Sequence, residues 1–480
     1  MKNYRYNFLL FFLVLTISCT DSLDIQPVSQ YSDNFLETSA GVRGLLNSAY
    51  DNIQYTQDPG VNRIYLEECV TDVFVNFRGF LNGNLQPYQD FTFNATSAYL
   101  LGDFWEKSYR AVRDANTLLG AVEVNQQMSD EQKTLITAEA HFIRGLAYNL
   151  LYGWFGPVPL IDQFYTDSNE EFNLPRADQT TLLTFIESEL RMASDNLPLT
   201  QDEYGRATKG AALGVLTKFY LQMEDWQNAA ATAQEVIDLD TYSLWPDFTT
   251  LFALENEGNA EMIFAFPAIP MDGNGNVWIA NALPPQYPVS IFNTATQVCV
   301  PVEFYNTFQE NDIRRFLILA NYTSNQGEEI DLTTGVEYQN PRSFKYPIDL
   351  SADARAGGAD FILVRYADIL LSRAEALVMG SGSVSQEALD LVNQVRNRAQ
   401  LPSLTMADVP DQPSFVDMIL QERAWEFYSE GKRRDDLRRH YRFTENARNR
   451  GKNAQPFHVL FPIPQSEIDA NPNLEQNEGY

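Results

Sequence analysis

The chain has 480 residues, with 34 lysines and arginines against 64 aspartates and glutamates and a formal net charge of −30. At roughly 100–200 residues per domain it holds more than one domain's worth of chain, and 44% apolar residues are enough for a large core. Only 20% of residues are charged, which excludes a disordered acidic polymer, and the acidic excess argues against nucleic acid or anionic lipid as partner.

Lys2 and Arg5 precede an apolar run from Phe8 to Ile17. That run is too short for a hydrocarbon layer of about 30 Å, which takes about 20 residues, so residues 1–18 read as a secretory signal. Cys19 follows Ser18 at the cleavage point and reads as an acylated lipoprotein N-terminus; the alternative is an ordinary signal with a chance cysteine. Removing residues 1–18 takes away Lys2 and Arg5 and leaves −32. Residues 19–33, polar and containing Pro27, read as a tether.

Residues 34–240 carry helical periodicity. The pattern predicts helices over 34–55, 105–124, from Ser129 or Asp130 to about Gly153–Pro157, and 179–194, with irregular, aromatic-rich chain over 56–102. Within 207–240, Tyr220, Trp226, Ala229, Ala233 and Val236 fall at the offsets of a tetratricopeptide helix–turn–helix unit, although Glu224 stands where that unit places glycine. Residues 241–360 are rich in Pro, Asn and Gly, with short β-type runs such as 262–266, and read as a second, loop-rich lobe presenting a functional surface. Residues 361–480 return to helical stripes: Tyr366, Ile369, Leu370, Ala374 and Leu377, then Ala388, Leu391, Val392, Val395 and Ala399. The predicted fold is mainly α: a tetratricopeptide-like helical-hairpin scaffold with a second, irregular lobe containing short strands.

Ordered motifs along this frame resemble the SusD/RagB family of outer-membrane lipoproteins of Bacteroidota. They are Arg365-Tyr366-Ala367-Asp368-Ile369-Leu370-Leu371 with Ala374-Glu375-Ala376, Val392-Asn393-Gln394-Val395-Arg396-Asn397-Arg398-Ala399 with Leu401-Pro402, and Glu422-Arg423-Ala424-Trp425-Glu426 with Glu430-Gly431-Lys432-Arg433. The tail Phe461-Pro462-Ile463-Pro464 through Gly479-Tyr480, and Ala138-Glu139-Ala140-His141 with Phe155-Gly156-Pro157 upstream, also fit. Arg434-Asp435 departs from the pattern, which often has an aromatic after the Arg. The resemblance implies a surface-exposed lipoprotein of the outer membrane, held by a lipid on Cys19. It implies binding of oligosaccharide, or of peptide in some members, and delivery to a SusC-like TonB-dependent transporter. The family's ligand residues lie in variable loops and do not carry over by motif.

Apparent catalytic groups read as structure. Glu422, Glu426 and Glu430 share a helix face, but Arg423, Arg433, Arg434, Arg438 and Arg439 crowd them, and arginines lower carboxylate pKa values where a general acid needs them raised. Asp272-Gly273-Asn274-Gly275-Asn276 imitates the start of a calcium loop, but Val277 and Leu283 stand where glycine and glutamate are required. The histidines, His141, His440 and His458, have no metal-ligand spacing, Cys69 and Cys299 read as buried thiols rather than a bridge, and nothing calls for a cofactor or metal. A ligand surface is expected instead from two loops that mix rings, which pack on the C–H face of a sugar, with polar groups for its hydroxyl rim. The candidates are Asp72, Arg78, Phe80 and Tyr88 in one loop, and Asn276, Trp278 and Tyr287 in the other. A glycan-binding lipoprotein is the leading reading, a peptide binder of the same fold is the alternative, and a lipid-anchored hydrolase is the outsider.

Overall fold

Helix starts are fixed by short polar side chains that satisfy the free N–H groups of the first turn. The structure, a computed structural model, describes residues 35–54, 61–97, 99–163, 173–271, 273–289, 296–336, 339–352 and 355–480; the signal segment, Cys19 and the tether lie outside them. After a short 3-10 turn at Phe35–Glu37, the first helices are α1 (Ser39–Gln54), α2 (Val61–Cys69), α3 (Phe80–Gln89), α4 (Tyr99–Val124) and α5 (Asp130–Phe155). Ser129 caps α5 through a reciprocal pair with Gln132, and Gly156, at φ 71°, ends it. Then come α6 (Gln179–Asn196), α7 (Lys209–Gln222) and α8 (Trp226–Asp238), capped by Asp178, Thr208 and Asp225.

α7 and α8 are the predicted tetratricopeptide-like unit. Ala229 and Ala233 are fully buried, which lets the helices approach closely, and Glu224 takes φ 55° where that unit places glycine. Trp226 sits half-buried beside His440. Helices stack pairwise in the order α1, α4, α5, α6, α7 and α8. The next member of the stack is α11 (Tyr366–Ser381), which packs on α8 and in turn on α12 (Gln386–Arg398). Gly382, at φ 73°, closes α11, and Ser385 caps α12.

Residues 239–365 are thus inserted between two successive members of the stack. The neck of the insertion is an antiparallel pair, β1 (Met262–Phe266) with β6 (Phe361–Arg365), whose register joins Phe266 to Phe361 and Ala265 to Ile362. The pair lies on α7 at Gly214, where a Cβ would come within 2.9 Å of Val364. Beyond the neck the lobe is irregular, with short helices α9 (Trp278–Ala282) and α10 (Val302–Tyr305) and two small antiparallel pairs. These are β2 (Ile318–Leu319) with β5 (Arg342–Ser343), and β3 (Asn321–Thr323) with β4 (Glu329–Asp331). The chain ends with α13 (Gln412–Phe427), α14 (Arg433–Arg439), α15 (Phe443–Asn449) and α16 (Gln465–Ala470).

The stretch expected to be irregular, 56–102, contains α2 and α3. Gly83 and Pro87 weaken the local helix signal of α3, and burial of Leu81, Leu85 and Tyr88 along one face overrides it. Cys69 and Cys299 are both buried free thiols.

A buried ion network locks lobe to stack. Arg365 donates to Glu261 at 2.7 Å, Glu426 at 2.5 Å and Glu430 at 2.9 Å. Arg314 reaches Asp312 and Glu422 at 2.7 Å and Glu426 at 3.1 Å, and Arg396 takes the second oxygen of Glu422 at 2.7 Å. Arg398 joins Glu261 at 2.9 Å and also Glu426, while Lys345 binds Glu430 at 2.6 Å. Burial pushes the Glu426 carboxyl up, but Arg398, Arg365 and Arg314 outweigh it and hold it well below the usual carboxylate range. Glu430 is likewise held down against burial by Arg365 and Lys345. The three glutamates are therefore members of a structural ion-pair network, as the charge pattern of their stretch implied. The arginines differ from those expected: Arg423 serves Asp368 and Asp436, Arg433 serves Asp72, and Arg439 serves Glu375 and Asp436.

Removing one charge from such a cluster leaves the others buried and unbalanced. Glu426→Gln should cost roughly 3–5 kcal/mol in chemical denaturation, whereas Glu235→Gln, in an exposed pair with Arg191, should change stability by less than about 1 kcal/mol.

Candidate ligand-binding surface

The two loops singled out in the sequence meet through Phe74 and Trp278, and the first also pairs with the chain beyond the second, at residues 297–299. Backbone hydrogen bonds of 3.0 Å run both ways between Val75 and Cys299. Asn76 donates its amide to the Gln297 carbonyl at 2.6 Å, and the Gln297 side-chain oxygen accepts from Leu81 N–H at 2.7 Å. Gly79, at φ 80°, makes this approach feasible, because a Cβ there would fall 2.3 Å from the Gln297 oxygen. Behind the junction Tyr65 stacks on Trp278 at 5.4 Å, with Phe74 at 6.2 Å and Tyr346 at 5.5 Å from the same indole. In front, Phe80 is 71% and Phe77 43% exposed, and Arg78 lies between them on the surface.

Beside these rings a groove of about 500 Å³ opens, lined among others by Phe74, Phe77, Glu303, Phe304, Asn340 and Asn449. Its far walls come from the lobe and from the chain after α15, and the sequence reading missed them. The residue pair Glu303-Phe304, acid next to ring, was the one available signal. A second cavity of about 530 Å³ lies between α4 and the C-terminal tail. Its rings are committed to packing: Trp105 lies 5.1 Å from both Tyr109 and Phe155 and is 5% exposed.

Three expected ligand residues are core instead. Trp278 is 1% exposed: its backbone N–H donates to the Asn276 side-chain oxygen at 2.8 Å, and its ring packs inward on Tyr65. The Asn276 side chain is spent on that N–H and on the Ala359 carbonyl at 2.8 Å. Tyr88 continues the apolar stripe of α3 and stacks on Phe93 at 5.0 Å. Asp72 lines the groove but receives two 2.8 Å bonds from Arg433 and one of 2.9 Å from Asn446. Burial raises its carboxyl, and Arg433 outweighs burial to bring it down to about 2. Tyr287 is half-buried against Tyr322 and Phe344. Asp272 lies outside the described residues. Arg78 and Phe80 are exposed on the chain that follows the groove residue Phe77.

The remaining titratable candidates have structural partners. His141 meets Glu189 at 3.0 Å and His440 meets Glu375 at 2.9 Å. His458 accepts the Gln455 N–H at 2.9 Å and is pushed down to about 4 by burial. Among the described residues no cluster of three His, Cys, Asp or Glu could hold a metal, and no helix is long and apolar enough to cross a membrane.

Comparison with known proteins fits this architecture. The SusD family profile matches residues 303–480, and a second, described as starch-binding and associating with the outer membrane, matches residues 21–221. The chain belongs to the SusD/RagB family. It is 27% identical to SusD-like protein P2 of Formosa agariphila over the full length of both. It is 26% identical to the starch-binding protein SusD of Bacteroides thetaiotaomicron over 75% of each chain. A solved structure titled a laminarin-binding SusD-like protein superposes with a TM-score of 0.79 at 25% identity, covering 92% of this chain and all of that one.

The Asp72 pair makes stability pH-dependent with a defined sign. Its folded carboxyl lies below the unfolded value, so its contribution is full above about pH 4 and is lost as pH falls toward about 2. Asp72→Asn should cost about 2 kcal/mol at pH 7, and urea titrations should show the gap from the unaltered protein closing below about pH 4.

Proposed function

We propose that this protein is a cell-surface lipoprotein that captures oligosaccharide without cleaving it and passes it to a SusC-like TonB-dependent barrel in the outer membrane. The observation that carries the ligand reading is the exposed ring of Phe77 in the wall of the groove, with Arg78 and Phe80 exposed on the chain just after it. A sugar offers a C–H face to a ring and hydroxyls to Arg78, Glu303 and Asn449 nearby. Two kinds of relative support it: the starch-binding SusD by sequence and the laminarin-binding protein by sequence and fold. The absence of catalysis is argued from the carboxylates best placed to resemble an acid–base pair, Glu422, Glu426 and Glu430. All three are buried and ion-paired, and none faces the groove.

Isothermal titration with soluble glucans and other oligosaccharides tests the site. Phe77→Ala with Phe80→Ala should weaken binding by roughly 1–3 kcal/mol, with the melting temperature little changed. Trp278→Ala should act in the opposite way, costing about 3–5 kcal/mol of stability as a core deletion. Chromatography of the same incubations should return uncut glycan. Unchanged affinity in the double variant removes the groove as the site, and binding of peptides in place of glycans replaces the ligand class.

The anchor is tested separately. Cys19→Ser should move the protein from the outer-membrane fraction to the soluble fraction; retention of the variant in the membrane fraction would remove the lipid-anchor reading.

A further inference from the structure

A cavity of about 170 Å³ lies between α5, α7, the end of β6 and the start of α14, far in chemistry from the aromatic groove. Four cations line it, Arg63, Lys218, Lys432 and Arg438, against two carboxylates, Glu67 and Asp435. In a chain of net charge −30 this is a local positive excess. Its deep members are buried: Arg63 is 6% and Lys432 7% exposed. Its rim is more open, with Arg438 and Asp435 side chains 18% and 32% exposed.

The cations are under-used. Arg63 donates to Glu67 at 2.6 Å, while its Nε–H has no hydrogen-bond partner among the described residues. Lys218 carries three donors and shows one bond, of 2.9 Å, to an Asp368 oxygen that also takes Arg423 at 2.8 Å. Lys432 donates to the Leu363 carbonyl and stands 3.8 Å from Asp368. Arg438 donates to the Gly153 carbonyl at 2.6 Å and lies 3.4 Å from Asp435. Glu67 is itself divided between Arg63 and the Trp154 indole N–H at 3.1 Å. Burial and the neighbouring Lys218 and Arg63 push the Lys432 ammonium down to about 8 despite Asp368, so the cations sit close enough to repel.

We infer that this cavity binds a small oxyanion of the carboxylate, phosphate or sulfate class, held by spare donors of Arg63, Lys218 and Lys432 with Arg438 at the entrance. Oxyanions match both the charge and the donor-only chemistry of these side chains. The volume exceeds the roughly 30 Å³ share of one water several-fold, which leaves room for a tetrahedral or planar oxyanion. Such an ion has two sources, a free inorganic anion or the acidic group of a sugar.

The test titrates the purified full-length protein in detergent with inorganic phosphate, sulfate and glucuronate. It is done by calorimetry and thermal shift at constant ionic strength, with chloride as control. At least one probe should bind saturably at one equivalent and raise the melting temperature above the chloride control. Arg438→Gln and Lys218→Gln should each weaken that binding about tenfold or more. If Lys218→Gln does not fold, the rim variant Arg438→Gln alone decides. Binding of phosphate or sulfate without glucuronate assigns a free anion, and binding of glucuronate assigns an acidic sugar; either supports the site. No saturable binding of any probe, or binding unchanged in Arg438→Gln, overturns it. Phe77→Ala with Phe80→Ala should leave anion binding intact, so failure here is distinct from failure of the glycan groove.

Discussion

The fold depends on ion pairing without water. Five cations, Arg314, Lys345, Arg365, Arg396 and Arg398, face five carboxylates, Glu261, Asp312, Glu422, Glu426 and Glu430, with every side chain 6% exposed or less. Desolvating each ion costs several kcal/mol, and the attraction repays this only when geometry and hydrogen bonding are complete. The network is therefore better understood as a device for position than as a source of stability. Its members come from both ends of the lobe's neck, from inside the lobe, from α12 and α13, and, with Glu430, from the turn after α13. A lobe docked one residue out of register would leave a charge buried and alone, so only one docking is tolerated.

That constraint explains how irregular chain can present a defined surface. Among its described residues the lobe has three pairs of short strands and only short helices. Its shape comes from what it is fastened to. Glu261 and Arg365 fix the two strands of the neck, Lys345 and Arg314 fix the interior, and the Trp278 cluster fixes the loop against α2. Phe77 and Glu303, which line the groove and are exposed, belong to none of these attachments. They can change with little cost to folding, so one scaffold can carry different ligand surfaces.

Legibility in the sequence followed the range of the interactions. The α7–α8 hairpin was readable because Ala229 and Ala233 repeat at helical spacing within one unit, and the anionic role of Glu422, Glu426 and Glu430 because their own stretch is rich in arginine. The actual partners of Glu426 were not readable: Arg314, Arg365 and Arg398 lie 112, 61 and 28 residues away. The helices α2 and α3 were missed because tertiary burial, not propensity, decides them. Trp278 was misplaced for a related reason. A Gly/Asn-rich turn does precede it, but the inward packing of the indole appears only when its partner ring, Tyr65, more than 200 residues away, is known. Of the site, the loop carrying Phe77 was found and the walls from residues 301–307, 335–340, 421 and 449–452 were not, since five distant segments build one groove.

The same burial of cations shapes the outer field. The chain has 34 lysines and arginines, and many of the arginines are consumed inside, in the network and in the second cluster of Arg423 and Arg439 with Asp368, Asp436 and Glu375. The interior is close to neutral, so the excess of carboxylates resides at the surface, which is more acidic than composition alone conveys. Long-range attraction to anionic ligands or anionic headgroups is opposed there, within a screening length of about 8 Å at physiological salt. A ligand held through ring faces and hydroxyl hydrogen bonds is indifferent to that field, which suits the aromatic groove. An anion gains nothing from the surface and must find donors at short range. The cavity among Arg63, Lys218, Lys432 and Arg438 supplies such donors among the described residues, behind a rim where Arg438 stands beside Asp435.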